Sequence, residues 1–371
     1  MVDDVVVTGV GLCTALGQTT QATWLNLLAG KSAIAFRQPH VSMPPVPLAM
    51  IGKYPADPEP LLTRVVREAI ADAALIPPLE NCGLVVGSSR SYLNRWEAMA
   101  RNDMSLDHWL TALPCGLSSQ IAQLIQSRGP VLAPMAACAT GVWALFQGYM
   151  LLLTGQCDRV IVGAVDAPIT PLTLAGFRRM GAMAKDGCYP FDCDRNGLVL
   201  GEGAAAVVLE SRKKASEKVT YGQLLGFGLS NDAYHISSSR QDGTLTVAQQ
   251  CLKRSGLYGS DIDYVHAHGT GTRLNDANES CMIKQLFPKA AVSSTKGATG
   301  HTLGAAGLIG VVFSLLGLKQ QVLPPCVGLK RPEFDLNFVN ADSCRSFSVK
   351  HVLCSSFGFG GQNAVVAITH A

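Results

Sequence analysis

Apolar positions change their spacing several times along the chain, and each spacing predicts an element. Residues 5–10 are a β-branched run closing on Gly9-Val10-Gly11, a buried strand entering a turn. Residues 19–29 carry helical spacing, with Thr19 or Thr20 placed to cap the helix and Gly30 to end it. Residues 36–60 are proline-rich and without period, which predicts loop. Over residues 61–75, Leu61, Leu62, Val65, Val66, Ala69, Ile70 and Ala73 share one helical face, with Arg64, Arg67, Glu68 and Asp72 mostly opposite. Short apolar runs at 82–87 and 158–165 predict buried strands, 198–209 a Gly-rich bend into another, and residues 117–126 a helix before the Gly129-Pro130 turn.

Between Arg128 and Asp158 no residue is charged. Residues 131–153 therefore read either as a membrane span, which needs about 20 apolar residues, or as a helix buried on all sides. Pro134, Gly141, Gln147, Gly148 and Thr154 interrupt the run and no basic flank anchors it, which favours the buried helix. A second apolar run, 303–318, is too short and too broken by glycine to span a bilayer.

The later half echoes the earlier one. Residues 223–230 resemble 5–13, and residues 263–268 are a strand running into a Gly-Thr turn. Residues 293–318 pair with 131–153: both pass through small residues and an Ala-Thr-Gly triplet (139–141 and 298–300) into an apolar helix. Two copies of one strand–loop–helix plan imply a pseudo-twofold that places Cys138 opposite Lys296 and His301. The expected division is residues 1–212 and 213–371, joined across the most charged segment, 211–219. The chain then closes with a strand, a Gly-rich turn at 357–361 and a last strand.

Composition narrows the function. With 371 residues, 48% apolar and 15% charged, the chain holds two domains or one duplicated α/β unit. The net charge of +3, without a basic stripe, excludes nucleic-acid binding and leaves a bias toward an acidic partner. Twelve cysteines are scattered with no C-x-x-C pair, which argues against zinc. With no signal peptide, reduced thiols in the cytoplasm are the natural reading.

Cys138 stands where the small-residue segment becomes helix. Alone, it reads as an inert buried thiol. At a helix N-terminus the macrodipole is expected to lower its pKa, and the small neighbours admit a thioester. His268 lies at a strand end before Gly-Thr-Gly-Thr, and His301 at a helix start. A turn histidine and a capping histidine are the plain alternatives. Lys296, read alone, is a surface lysine.

Four motifs in order carry a family resemblance: Ala137-Cys138-Ala139-Thr140-Gly141; Ala267-His268-Gly269-Thr270-Gly271-Thr272; Lys296 through Gly300-His301 to Gly307; and Ser356-Phe357-Gly358-Phe359-Gly360-Gly361. The chain resembles the two-histidine β-ketoacyl-acyl-carrier-protein synthases of the thiolase superfamily. The resemblance implies a duplicated α/β fold, with mixed five-stranded sheets in αβαβα layers. It implies Cys138 as nucleophile, with His268 and His301 donating to the malonyl thioester oxygen. Lys296 would orient the site, and the backbone N–H groups of Cys138 and Phe359 would form the acyl oxyanion hole. Thr270 and Thr272 would hold the pantetheine arm, Phe177 would wall the acyl pocket, and Phe357, Gly358 and Gly360 would form a gating loop. The expected reaction is decarboxylative condensation of a Cys-bound acyl group with malonyl-acyl carrier protein. It implies no metal or redox cofactor, only the phosphopantetheine on acyl carrier protein.

Three positions depart from the family pattern. Gly310 stands where an acidic residue is usual, Leu198 where an aromatic is common, and Arg273 in place of Pro. They put a supporting network in doubt and point to a specialised lipid, polyene or polyketide chain as a live option. A degradative thiolase is discounted because Phe359 stands where a second Cys is needed, and an initiating synthase because both histidines are present. The assembly is expected to be a homodimer, or the active half of a ketosynthase/chain-length-factor heterodimer. A non-elongating acyltransferase on the same fold is the remaining alternative.

Overall fold

A computed structural model describes residues 4–41, 43–216, 218–236, 241–340 and 348–370; Cys344 lies outside the described residues. The first part of the chain forms β1 (Val5–Thr14), α1 (Thr20–Leu28), β2 (Ala35–Arg37), β3 (Val46–Leu48), α2 (Pro58–Asp72), β4 (Cys82–Gly87), α3 (Leu93–Ala100), α4 (Gly116–Ile125), β5 (Val131–Leu132), α5 (Thr140–Leu153), β6 (Arg159–Asp166), α6 (Pro171–Arg179) and β7 (Gly203–Ser211). The rest forms β8 (Gly222–Asn231), α7 (Gln241–Ser255), β9 (Tyr264–His266), α8 (Arg273–Leu286), β10 (Ala291–Ser293), α9 (Lys296–Thr299), α10 (Ala306–Gln320), β11 (Asn337–Phe338), β12 (His351–Gly358) and β13 (Gln362–Thr369).

Local chemistry sets several boundaries. The Thr19 hydroxyl accepts from the Ala22 N–H and starts α1. Asp57 caps α2, with Pro58 at its first position, and Thr170 caps α6 ahead of Pro171.

The duplication is explicit in the strand pairing. In the first half β4 pairs parallel with β5 and β6, β6 antiparallel with β7, and β7 antiparallel with β1. In the second half β9 pairs parallel with β10 and β12, β12 antiparallel with β13, and β13 antiparallel with β8. Two five-stranded units were expected, and both are present with the same internal order. They are not separate sheets, however. Val5–Val7 of β1 pair with Gly222–Leu224 of β8, and β11 adds an edge strand, giving one eleven-stranded sheet.

Helices α5 and α10 lie in the middle, in a core shared by strands of both units. Helices α2 and α4 cover the far face of the first unit, and α7 and α8 that of the second. These are the five layers. The central helices approach backbone to backbone: a Cβ at Gly141 would lie 2.5 Å from the Leu308 nitrogen. Only glycine permits that contact, which brings the start of α5 to the start of α10.

The run at 303–318 is longer than expected. Leu303–Gln320 passes as a span by length and composition, yet 89% of it is buried inside the fold. Residues 36–60 are not simply loop: β2 and β3 form a hairpin and α2 already starts at Pro58. In the charged segment after β7, Ala215 is buried and Lys218 donates to the buried Glu210, so it is anchored rather than freely solvated.

Candidate active site

Cys138 sits at a sharp bend. Ala137, just before it, has φ +46°, a left-handed conformation that costs a side-chain-bearing residue energy. Local hydrogen bonds hold the bend. The Ala136 N–H donates to the Thr140 hydroxyl at 2.8 Å, and that hydroxyl donates to the Ala137 carbonyl at 2.7 Å. From the other unit, the Ser356 hydroxyl donates to the Cys138 carbonyl at 2.8 Å. Helix α5 begins two residues beyond the thiol.

The expected drop in the Cys138 pKa does not appear. Burial pushes the thiol up to about 11, although Lys296, Arg90 and the Phe359 N–H all pull the other way. Desolvation of the buried sulfur outweighs the helix end and the nearby cations.

His268 follows the end of β9. Its N–H and that of Gly269 both donate to Glu279 at 2.7 Å, and the Ser355 hydroxyl donates to the same carboxylate at 2.6 Å. His301 lies in the turn before α10; its N–H donates to the Val199 carbonyl and its carbonyl accepts from the Gly201 N–H. The two imidazoles are 5.2 Å apart between centroids, at 82° to each other. Both are buried, and desolvation together with the Lys296 charge holds both well below the ordinary histidine pKa. They are therefore neutral, each with one N–H to donate.

Lys296 is buried, not a surface residue. Its Nζ donates to the His268 carbonyl and lies 3.3 Å from His268 Nδ1. An ammonium has no lone pair, so Nδ1 is the acceptor and the His268 proton sits on Nε2. The Nδ1 of His301 is buried without a partner.

A cavity of about 500 Å³ opens onto this group. Cys138, His268, His301, Thr270, Thr272 and Phe357 line it, as do Gly358, Phe359 and Gly360 of the glycine loop. The Thr270 and Thr272 hydroxyls are 2.9 Å apart. Phe177 lies behind the lining, its ring 6.0 Å from that of Phe359. It belongs to an apolar cluster around Cys138 that includes Leu198, Leu48 and Met50. The structure thus gathers nine of the eleven expected residues on one cavity; Lys296 and Phe177 stand just behind it.

Several participants escaped the sequence reading. Glu279 lies on α8, where no helix was expected, and its role depends on a turn folded over it. The acidic residue expected at position 310 is absent; burial lowers the Lys296 pKa, and the Glu279 carboxylate opposes that shift and favours the ammonium. Leu48 and Met50 come from the hairpin region read as loop. Asp166 is not among those missed, since the stretch from Cys138 through Asp166 to Phe177 also resembles the family; it is buried and accepts from the Ser88 hydroxyl, the Ser89 and Arg90 N–H groups, and the Gly304 N–H, tying three elements together. The donor atoms of Cys138, His268 and His301 all lie within 4.8 Å of one another, close enough for one small ion, although the Lys296 ammonium opposes a cation there.

Comparisons with known proteins agree with this geometry. Residues 57–215 match the model "Beta-ketoacyl synthase, N-terminal domain" and residues 221–330 the model "Beta-ketoacyl synthase, C-terminal domain". A 3-oxoacyl-[acyl-carrier-protein] synthase 2 of Staphylococcus aureus (strain COL) is 30% identical over 98% of this chain and 97% of its own length. The mitochondrial 3-oxoacyl-[acyl-carrier-protein] synthase of Arabidopsis thaliana is 36% identical over 67% of this chain, and the match spans 58% of that relative. Nodulation protein E of Rhizobium meliloti is 34% identical over 69% of this chain and 66% of its own length. Among solved structures, the ishigamide ketosynthase/chain length factor superposes with a TM-score of 0.91 at 26% identity, covering all of both chains. The ketosynthase ApeO in complex with its chain length factor ApeC, from Xenorhabdus doucetiae, gives 0.83 at 25%, covering all of this chain and 98% of that one.

Proposed function

The chain belongs to the β-ketoacyl synthase family of the thiolase superfamily, and on that premise we propose that it condenses a Cys138-bound acyl group with malonyl-acyl carrier protein to give 3-oxoacyl-acyl carrier protein. The observation that carries the reading is one cavity holding a buried thiol and two neutral imidazoles with a buried lysine behind them.

In the first half-reaction the Cys138 sulfur attacks the acyl thioester. The oxyanion forms against the Cys138 and Phe359 N–H groups, and the carrier-protein thiol leaves with the proton that Cys138 gave up. In the second, malonyl-acyl carrier protein binds with its thioester oxygen between His268 and His301. Loss of CO2 leaves an enolate, which the two imidazole N–H groups stabilise. The carbanion attacks the acyl carbonyl, the Cys138 thiolate leaves and takes a proton from solvent, and the 3-oxoacyl product departs. No metal or redox group enters this scheme. Thr270 and Thr272 hold the pantetheine arm, and Lys185 and Arg273 on the cavity wall favour an acidic carrier protein.

The acyl group belongs to fatty-acid or specialised lipid and polyketide elongation. A second chain is part of the working assembly on this reading, a copy of this one or a chain-length-factor partner. Strand β5 is one edge of the sheet, and Val131 in it and Met135 just after it are exposed apolar residues, which supports pairing at that edge. The solution mass, measured with and without co-expressed candidate partners, distinguishes the two assemblies. The eleven described cysteines are free thiols, in keeping with a cytoplasmic location. Intact-protein mass after incubation with acyl carrier proteins of differing chain length tests the reaction and ranks the substrates.

A further inference from the structure

The mechanism above leaves one buried histidine unused. His266 lies two residues before His268 on β9 and is 3% exposed. Two aromatic rings pack against it. The ring packs edge-on to Tyr264, at 6.3 Å between centroids, and nearly parallel to Phe313 at 6.4 Å. It makes one close polar contact to a side chain: Nε2 lies 3.3 Å from the Thr295 hydroxyl. The Cys354 sulfur, 3.9 Å from Nδ1, is a weak second partner.

The ring fits there because of Gly310. A Cβ built at position 310 would fall 2.7 Å from both Cε1 and Nδ1 of His266. Real Cβ atoms do not approach that closely, so the imidazole and a side chain at 310 exclude each other. The departure at Gly310 and the histidine at 266 are thus a single feature: one side chain of α10 is removed and a β9 ring fills the notch.

The contact with Thr295 matters for what comes next in the chain. Thr295 is the residue before α9, and its carbonyl accepts from the Ala298 and Thr299 N–H groups. Fixing it fixes the turn from which Lys296 projects. Lys296 in turn reaches the carbonyl and Nδ1 of His268. The path closes on itself, from His266 to Thr295 by a hydrogen bond, to Lys296 by the backbone, to His268 by the ammonium, and back along β9.

We propose that His266, seated in the notch left by Gly310, is a positioning residue that holds Lys296 against His268 through the Thr295 hydroxyl. It works as a neutral ring: burial and the Lys296 charge hold its pKa down to about 3, so it adds no second positive charge beside the ammonium. The proposal rests on the condensing reading only for its kinetic readout.

Two variants separate positioning from packing. His266→Leu keeps the bulk without a hydrogen-bonding atom; His266→Gln keeps a polar atom in reach of Thr295. Two measurements are made on each. The first is the pH dependence of Cys138 alkylation by iodoacetamide, which needs no substrate and senses where the Lys296 charge sits. The titratable and charged groups facing that sulfur are His268, His301, Lys296, Arg90 and Asp166, and neither variant alters them. The second is malonyl-acyl carrier protein decarboxylation. For His266→Leu the expected results are a Cys138 midpoint moved to higher pH and a roughly tenfold lower decarboxylation kcat at little-changed KM, with thermal unfolding close to wild type. His266→Gln is expected to recover most of both. A folded His266→Leu with wild-type alkylation profile overturns the proposal, as does a His266→Gln no better than His266→Leu. If the wild type alkylates as described but decarboxylates nothing, the condensing reading fails while the alkylation comparison still decides the role of His266.

Discussion

The Lys296 ammonium lies 3.3 Å from Nδ1 of His268 and donates to that residue's own carbonyl. A cation so placed fixes which imidazole nitrogen carries the proton, and so leaves Nε2 as the donor. Lys296→Met, similar in length and uncharged, leaves the His268 tautomer free. Decarboxylation of malonyl-acyl carrier protein by this variant is expected to fall by about 10²-fold or more, the scale of losing an aligned donor. Steady-state release of CO2 measures it, and a Lys296→Met variant at wild-type rate contradicts the assignment.

The two histidines are expected to act together at one oxygen. His268→Ala and His301→Ala should each reduce decarboxylation by about 10²–10³. The double variant should be little worse than either alone, because the remaining donor is ineffective without its partner. Because burial and Lys296 hold both imidazoles well below their ordinary pKa, they stay neutral as pH falls through 6.5. The decarboxylation rate should therefore show no inflection there. A half-maximal point near pH 6.5 would mean that at least one ring is solvated.

Thiol reactivity gives a second pH test, with the opposite direction. Burial pushes Cys138 up to about 11, so the thiolate fraction grows about tenfold per pH unit from 7 to 9, and alkylation should grow with it. Lys296 lowers that pKa, so Lys296→Met should slow alkylation at any given pH. Peptide mapping is needed because eleven described cysteines are free. A rate that levels off below pH 8 contradicts the closed, desolvated thiol.

The glycine loop makes an asymmetric prediction. Gly360 has φ +77° with open space where a Cβ would go, whereas a Cβ on Gly361, at φ +75°, would meet the Asp232 nitrogen at 2.7 Å. Gly360→Ala should cost only the left-handed strain, about 1–2 kcal/mol. Gly361→Ala adds a backbone clash, displaces the Phe359 loop, and should lower both stability and acyl transfer further. Urea unfolding and acyl loading of the two variants, compared side by side, check the order.

Much of the site was legible because its residues follow one another in short, chemically odd motifs. Small residues around Cys138, glycines around His268 and His301, and the repeated Ala-Thr-Gly triplet mark backbone bends that only a crowded site needs. The parallel and antiparallel pairing of the two units follows from the same repeat. What was not legible depends on distance in sequence. Glu279 is an ordinary acidic residue until the turn at 268–269 folds onto it, and its helix lacks a strong apolar stripe. Leu48 and Met50 sit among prolines that hide a hairpin. The Cys138 pKa was misjudged because the helix end was weighed and the desolvation of a buried thiol, which is larger, was not. Gly310 stood out in the sequence, but its link to His266 is visible only when α10 is packed against β9.

The most direct test of the account is the intact mass of the protein after incubation with an acyl-acyl carrier protein. The wild type should gain the mass of one acyl group, mapped to Cys138, and Cys138→Ala should gain none. On adding malonyl-acyl carrier protein the label should leave as 3-oxoacyl product. An acyl adduct that persists in Cys138→Ala, or condensation by that variant at the wild-type rate, would contradict Cys138 as the nucleophile and the mechanism built on it.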